Sequence, residues 1–331
     1  MALTYPGALW TIAVRVRLKL SRLAADERTI RLKLSESTIS IVGMGLMGGS
    51  LGKALVNMGA CREVRALVRH PMSAHQAVAS GAAHMAGTDA QQVLADADLV
   101  VFATPVRTIE RQIPPLQRYL KPGAVVTDLG SVKNGISKVM EDLPQGVFAV
   151  GGHPMCGKET SGLAAADPGL FLDRAWVVVP LKNSNAEALT LIQELVSAVG
   201  ALSVTMNAAD HDRAVACVSH LPYLLATALV AAAEETSKDQ PYLWDLASTG
   251  FRDTSRVAAG NLTMMMDILA ANRENIIRSL EKARKHLDTL GQLVAEGDEQ
   301  VLSEVCSRAR ERRLKLFQDS TPVAREKASH A

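Results

Sequence analysis

The stretch GGHPMCGKETSG, residues 151–162, sets one histidine among glycines with a cysteine three positions on. His153 in that setting has three readings: a catalytic base, a metal ligand, or a loop residue with no chemical task. A metal site, or a nucleophile built from Cys156 and His153, lacks support, because no third ligand or orienting group stands at a recognisable spacing. A neutral imidazole that titrates near the working pH suits proton abstraction.

A second signature lies upstream. ISIVGMGLMGGSLGKAL holds G-x-G-x-x-G as Gly43, Gly45 and Gly48, directly after a predicted strand and before a predicted helix. Gly43 permits the tight turn, and Gly45 lets the backbone approach a pyrophosphate. Gly48 lets the helix pack close to the strand, with the helix N-terminus facing the phosphate charge. In that strand–turn–helix context the motif indicates a dinucleotide, with Leu46 and Met47 of the same turn beside it. The end of the second strand selects which one. An NAD enzyme carries Asp or Glu there, where it accepts hydrogen bonds from the ribose hydroxyls. This chain reads ALVRHP, with Val68 at the acidic position and Arg69 next. No carboxylate repels a 2′-phosphate, a guanidinium supplies a bidentate partner for it, and His70 and Ser73 add donors. The expected cofactor is NADP, with NAD the less favoured alternative and no metal.

These groups need elements to hold them. From Ile39 onward, short β-branched runs alternate with helical patterns. Strands are predicted at 39–43, 63–68, 98–104, 124–129, 146–150, 175–180 and 202–206, with helices after Gly48 and over 90–97 and 185–200. That alternation predicts an α/β fold, a Rossmann-type, doubly wound parallel sheet, over residues 37–207. Past about residue 208 the strand signals stop. An alanine- and leucine-rich segment covers 210–235, a long helix or an interrupted one covers 262–294, and a third covers 299–314. An all-helical C-terminal domain over 208–331 is expected, and its long apolar faces predict a homodimer. The run Met264 to Met266 reads as core packing. Residues 1–36 form an N-terminal extension with the basic runs RVRLKL and RTIRLKLS, to which no role is assigned. It lacks the apolar region of a targeting peptide and contains Asp26 and Glu27.

Composition narrows the class. A chain of 331 residues has room for two domains and a sizeable core. A net charge of +2 gives no reason to expect a nucleic-acid partner. Four cysteines lie far apart with no CxxC pair, which argues against a disulfide framework or zinc site and for a reducing cytoplasm. The apolar stretches read as broken by charge or glycine short of a membrane span, so no membrane partner is expected.

Four further segments have unusual chemistry: ATPVRTIE (103–110), TDLGSVKNGI (127–136), VSHLPYLLA (218–226) and STGFRDTSRVAAGN (248–261). With the glycine turn and GGHPM they resemble, in order, the prephenate/arogenate dehydrogenase family of tyrosine biosynthesis, over nearly everything from Ile39 to about Asn275. Enzymes of that family oxidatively decarboxylate a cyclohexadienol to a phenol and pass hydride to NAD(P)+. The resemblance implies that His153 takes the proton of the ring hydroxyl and that Ser131 of GSVK lies near both that oxygen and the nicotinamide. It implies that Arg256 grips the substrate carboxylate with Asp253 bracing it, a task for which a guanidinium fork suits better than a lysine. By the same resemblance His220 faces substrate or cofactor from the helical domain, and Thr104 and Pro105 line the cofactor. Lys133 is expected to form an ion pair that supports the GSVK loop, and Arg252 to be a structural charge.

One departure bears on the substrate. Several prephenate-using members read SHLPH, whereas this chain reads SHLPY, with Tyr223 at the last position. A histidine there would help neutralise the side-chain carboxylate of prephenate; a tyrosine is neutral, and the zwitterionic tail of arogenate asks for less positive charge. The Arg69 turn and GFRDTSR also resemble arogenate-using, cyanobacterial and plant-type members. The expected reaction is arogenate with NADP+, and prephenate is the alternative. Two rivals fit less well. A β-hydroxyacid dehydrogenase or imine reductase shares the glycine turn but does not predict GGHPM with GFRDTSR. A non-catalytic NADP(H) sensor has no need of a base and a carboxylate clamp.

Overall fold

The computed structural model describes residues 32–318, so most of the N-terminal extension lies outside the described residues. A first unit ends at Ala208. Its sheet comprises β1 (Thr38–Val42), β2 (Glu63–Leu67), β3 (Met85–Gly87), β4 (Leu99–Phe102), β5 (Val125–Asp128), β6 (Phe148–Pro154), β7 (Ala175–Pro180) and β8 (Leu202–Thr205). Their spatial order is β3-β2-β1-β4-β5-β6-β7-β8. The connecting helices are α1 (Leu46–Met58), α2 (Pro71–Ala79), α3 (Ala90–Leu94), α4 (Val106–Leu116), α5 (Asn134–Glu141) and, between β7 and β8, α6 (Ala186–Ala198).

Strands β1, β4 and β5 read TISIV, LVVF and VVTD, and every residue in them is buried. Strands in which no residue is exposed belong to sheets covered on both faces, as parallel ones are. Ile39 sits between Val64 of β2 and Leu99 of β4, and the core around it takes Leu51 and Leu55 from α1 and Leu191, Ile192 and Leu195 from α6. Strand β3 was not expected: three residues, Met-Ala-Gly, are too short and too weakly β-forming to register as a pattern. Nor is the sheet wholly parallel. Strand β7 runs antiparallel to β6, because the chain between them, residues 155–174, holds only the single 3-10 turn Leu163–Ala165 and no crossover helix. Leu34 is buried, and its N–H donates to Glu194 Oε2 on α6 at 2.9 Å. The end of the predicted extension thus belongs to this unit's core.

The second unit begins at Ala209 and is helical among the described residues. It contains all but the first residue of α7 (Ala208–Val215), the π-helical turn Ala216–His220, α8 (Leu221–Ser237), α9 (Thr249–Ser255), the 3-10 turn Arg256–Ala259, α10 (Leu262–Ala271), α11 (Arg273–Glu296) and α12 (Glu299–Gln318). The helical pattern over 262–294 breaks at Asn272. Asn261 caps α10 by accepting the Met264 N–H at 2.9 Å, and Gly297, at φ +70, ends α11. Met265 is buried but Met264 and Met266 are 44% and 46% exposed, so the methionine run is not simply core.

The expectation of no span-length apolar stretch does not hold. Residues 208–237 form one helical run with a window of mean hydropathy 1.8, long and apolar enough to cross a membrane by length and composition. No Asp, Glu, Lys or Arg falls between 214 and 233. The polar pair Ser219–His220 and the many alanines weaken the apolar pattern there without interrupting it by charge or glycine.

Candidate functional site

Gly43 follows β1 with φ +98, and a Cβ there would stand 2.5 Å from Thr104 Cγ2, so only glycine fits. A Cβ on Gly48 would stand 2.0 Å from Gly43 O and 3.0 Å from Ala103 Cβ, which lets α1 lie close to the sheet. Around Gly45 the space is open, with nothing within 4 Å of an added Cβ. Gly45 caps α1 without a side-chain hydrogen bond, and the N–H groups of Leu46, Met47 and Gly48 have no partner within the helix. The strand order reverses between β1 and β4, where open α/β sheets bind ligands. Across that reversal Thr104 packs on Gly43 and donates through Oγ1 to Gln112 Oε1 at 2.7 Å, and Pro105 caps α4.

The turn also abuts the end of β2, since Gly43 N–H donates to Leu67 O at 3.0 Å. Beyond that end Arg69 and His70 are exposed, and Ser73 is half-buried in the first turn of α2. Arg69 makes no ion pair among the described residues. A backbone cradle that a Cβ would fill, and Val68 in place of a carboxylate, fit a dinucleotide phosphate.

Strand β5 ends in Asp128, fully buried. Its carboxylate accepts the Gly130 N–H at 2.9 Å and the Gly152 N–H at 3.1 Å, and it pairs with Lys133, also fully buried. Lys133 Nζ donates in addition to Gly152 O at 2.7 Å. Lys133 therefore supports the GSVK loop as expected, and with Asp128 it grips both backbone groups of Gly152. A Cβ on Gly152 would stand 2.5 Å from Asp128 O, so the approach needs glycine.

His153 is the next residue, and it is not in a loop. GGHP forms the second half of β6, with His153 opposite Val177 in the antiparallel ladder and 8% exposed. Glycine and proline are depleted in strands, which conceals the element until β7, AWVVVP, is seen beside it. Ser131, on the loop that Lys133 holds, is half-buried, and its hydroxyl makes no hydrogen bond with the described residues. The two residues thus lie at the C-terminal ends of neighbouring strands, β5 and β6, joined by the Asp128–Lys133 pair. An imidazole on a paired strand beside a pinned glycine is well fixed in position.

In the helical unit His220 closes the π-turn. Leu221 N–H reaches back to Ala216 O, and the wider turn makes room for Pro222, whose ring and missing N–H an α-helix interior does not accept. His220 is 1% exposed, and its Nδ1 lies 3.3 Å from Asn272 Nδ2. His211 and Asp212, both fully buried, meet at 2.8 Å between Nδ1 and Oδ1. Burial pushes the His220 pKa down to about 4, the Asp212 carboxylate pulls it up, and His211 pushes it down. An unfolded imidazole takes its proton near 6.5, so the folded state loses stability as pH falls from about 6.5 to about 4, and no more below that. The loss amounts to roughly 3 kcal/mol. Acid unfolding of His220→Gln is expected to lack that part of the slope; an unchanged slope would refute the assignment.

Tyr223 is 8% exposed, and its Cε2 lies 3.9 Å from where a Gly260 Cβ would stand, so the ring rests by the turn that follows Arg256. Arg256 opens that 3-10 turn and is exposed. Asp253 does not brace it. The Asp253 carboxylate accepts from Arg252 Nε at 3.0 Å, with both side chains largely exposed. Exposed pairs differ by under about 1 kcal/mol, too little for spacing alone to choose between neighbouring arginines. Asp128 and Asn272 were not singled out from the sequence. Asp128 stood inside TDLGSVK, whereas nothing local marks Asn272.

Comparison with known proteins agrees over most of the chain. The family model described as the nucleotide-binding domain of prephenate dehydrogenase matches residues 51–205, and the one described as its dimerization domain matches 207–307. The prephenate dehydrogenase of Lactococcus lactis subsp. cremoris is 31% identical over 210 residues, which is 62% of this chain and 57% of that protein's length. Among solved structures, prephenate dehydrogenase from Aquifex aeolicus in complex with hydroxyphenyl propionate and NAD+ superposes with a TM-score of 0.79. It is 30% identical, over 86% of this chain and 100% of that one. Synechocystis arogenate dehydrogenase superposes with a TM-score of 0.75 at 31% identity, over 84% of this chain and 99% of that one.

Proposed function

The chain belongs to the prephenate dehydrogenase family, and from that premise we propose that it oxidatively decarboxylates arogenate with NADP+, prephenate being the alternative substrate. The observation that carries this reading is His153, set in β6 beside a glycine that the Asp128–Lys133 pair holds at both its N–H and its C=O. An imidazole nitrogen of His153 takes the proton of the ring hydroxyl. Bound dinucleotide supplies the hydride acceptor. With the ring carbon oxidised, the C–C bond to the ring carboxylate breaks, carbon dioxide leaves, and its electron pair enters the ring to give a phenolate. His153 then returns its proton to the phenolate oxygen. Arg256 holds the departing carboxylate, and Ser131 offers its hydroxyl near the reacting oxygen. Aromatisation drives the sequence.

For the cofactor, Gly43, Gly45, Leu46, Met47 and Gly48 hold the pyrophosphate, Thr104 and Pro105 flank it, and Arg69, with His70 and Ser73, takes the 2′-phosphate. Arg69→Ala is expected to cut the preference for NADP+ over NAD+ about tenfold, read as the ratio of kcat/KM values. An unchanged ratio would remove Arg69 from the site. For the substrate, a neutral Tyr223 favours the zwitterionic tail of arogenate. Reduction of each dinucleotide with each cyclohexadienol decides the whole reading. Preferred prephenate would sink the Tyr223 inference, preferred NAD+ the Arg69 one, and no reduction the activity itself.

The helical unit is proposed to pair with a second copy. Among the described residues, helix α11 buries only Ile276 of its 24 and α12 buries none, while Leu287 and Val294 are 57% and 67% exposed. Apolar faces of this size call for a partner surface. Sedimentation at micromolar concentration should give a dimer; a monomer would refute it.

A further inference from the structure

We propose that Asn272 is a positioning residue: it holds His220 as a neutral ring with its proton on Nε2, so that His220 serves the ligand as a hydrogen-bond donor and not as a base or a cation. This rests on the reading of His220 as a ligand-facing residue. Asn272 stands in the break between α10 and α11 and is 3% exposed. From there its side-chain nitrogen reaches Asp212 O and His220 Nδ1 beside the π-turn.

The orientation of the Asn272 amide is fixed from both ends. The Asp212 backbone carbonyl, 2.7 Å away, can only accept, so the group facing it is the NH2. At the other end Asn275 Nδ2 donates to Asn272 Oδ1 at 2.8 Å, and Asn275 is itself oriented because its Oδ1 accepts from Arg278 Nη1 at 3.5 Å. The same Asn272 NH2 lies 3.3 Å from His220 Nδ1. A protonated Nδ1 would meet a donor head-on. Nδ1 therefore accepts, and the one proton of the neutral ring sits on Nε2.

Protonation of both nitrogens is opposed by the same contact, since an imidazolium needs an acceptor at Nδ1 and Asn272 presents none. The charged and titratable groups around the ring are Asp212 and His211. Asp212 gives a carboxylate oxygen to His211 Nδ1, 2.8 Å away, and its backbone carbonyl to the Asn272 amide. Burial lowers the His220 pKa in the same sense. His220 Nε2 makes no hydrogen bond with the described residues. It can thus donate to a hydroxyl or carboxylate oxygen of a bound molecule, without supplying a positive charge and without taking a proton.

The test is the nitrogen NMR spectrum of the full-length protein labelled at histidine, with His220→Gln used to assign the resonances. Wild-type protein is expected to show His220 with a bare Nδ1 and a protonated Nε2, unchanged as the pH is lowered from about 8 to about 5. In Asn272→Asp an acceptor replaces the donor, and Nδ1 is expected to become protonated. A wild-type ring with its proton on Nδ1, or one that titrates near the ordinary histidine value, would overturn the proposal even if no variant folds. Kinetics address the donor role. Glutamine carries its amide nitrogen near the place of Nε2 and asparagine near that of Nδ1. His220→Asn is therefore expected to raise KM for the cyclohexadienol about tenfold more than His220→Gln does, the worth of one hydrogen bond. Equal effects would overturn the donor role. A protein that turns over neither cyclohexadienol would sink the proposed activity, while the spectrum would still decide the tautomer.

Discussion

Replacing His153 by asparagine is expected to lower kcat about 10²- to 10⁴-fold while KM for substrate and cofactor moves far less. The side chain sits on a strand whose backbone is paired with β7, and the residue before it is held by Asp128 and Lys133. Asparagine keeps a polar group of similar reach in that frame but cannot take a proton at neutral pH. The frame itself should survive, so thermal unfolding of the variant should match the wild type to within a few degrees. A loss confined to kcat marks an interaction made only in the transition state. If KM rises with kcat unchanged, His153 binds the substrate without acting as the base, and the proposed mechanism fails.

Lys133→Met is expected to cost about 3–5 kcal/mol of stability, because it strands the Asp128 carboxylate in the interior without its cation. Two backbone donors, from Gly130 and Gly152, still reach Asp128, which places the loss toward the lower end of that range. Adding Asp128→Asn to the same chain should recover part of the loss, since it removes the uncompensated charge. Urea unfolding followed by circular dichroism checks both. The activity that survives in Lys133→Met should also fall, because Gly152 loses the Nζ that fixes its carbonyl and the strand carrying His153 loosens. A loss below about 1 kcal/mol would mean that the pair is no anchor and that β6 is held by its ladder alone.

The glycine turn was legible from the chain alone. Its constraints are steric and local: Gly43 needs its positive φ, and Gly48 its contact with Gly43 O, whatever else surrounds them. The buried parallel strands were legible for a related reason. A strand covered on both faces must be apolar or carry polar groups that find partners inside: LVVF is apolar throughout, and in TISIV the Ser40 hydroxyl donates to Val93 O at 2.6 Å. The order of motifs, from the turn through GSVK, GGHPM and SHLP to GFRDTSR, was enough to place the chain in its family.

Other features are settled by partners distant in sequence. GGHP reads as a loop and is a strand, because the ladder that makes it one is supplied by β7. SRVAAGN and its neighbours offered Asp253 two arginines, and the exposed pair formed with Arg252. Asn272 looks like any helix-breaking asparagine until the fold sets it against Asp212 and His220, 60 and 52 residues earlier. Local sterics and hydrophobic period act on neighbouring residues and can be read in order along the chain. Strand pairing, amide orientation and the choice of an ion-pair partner depend on which segments come to lie side by side, and the tertiary structure alone decides that.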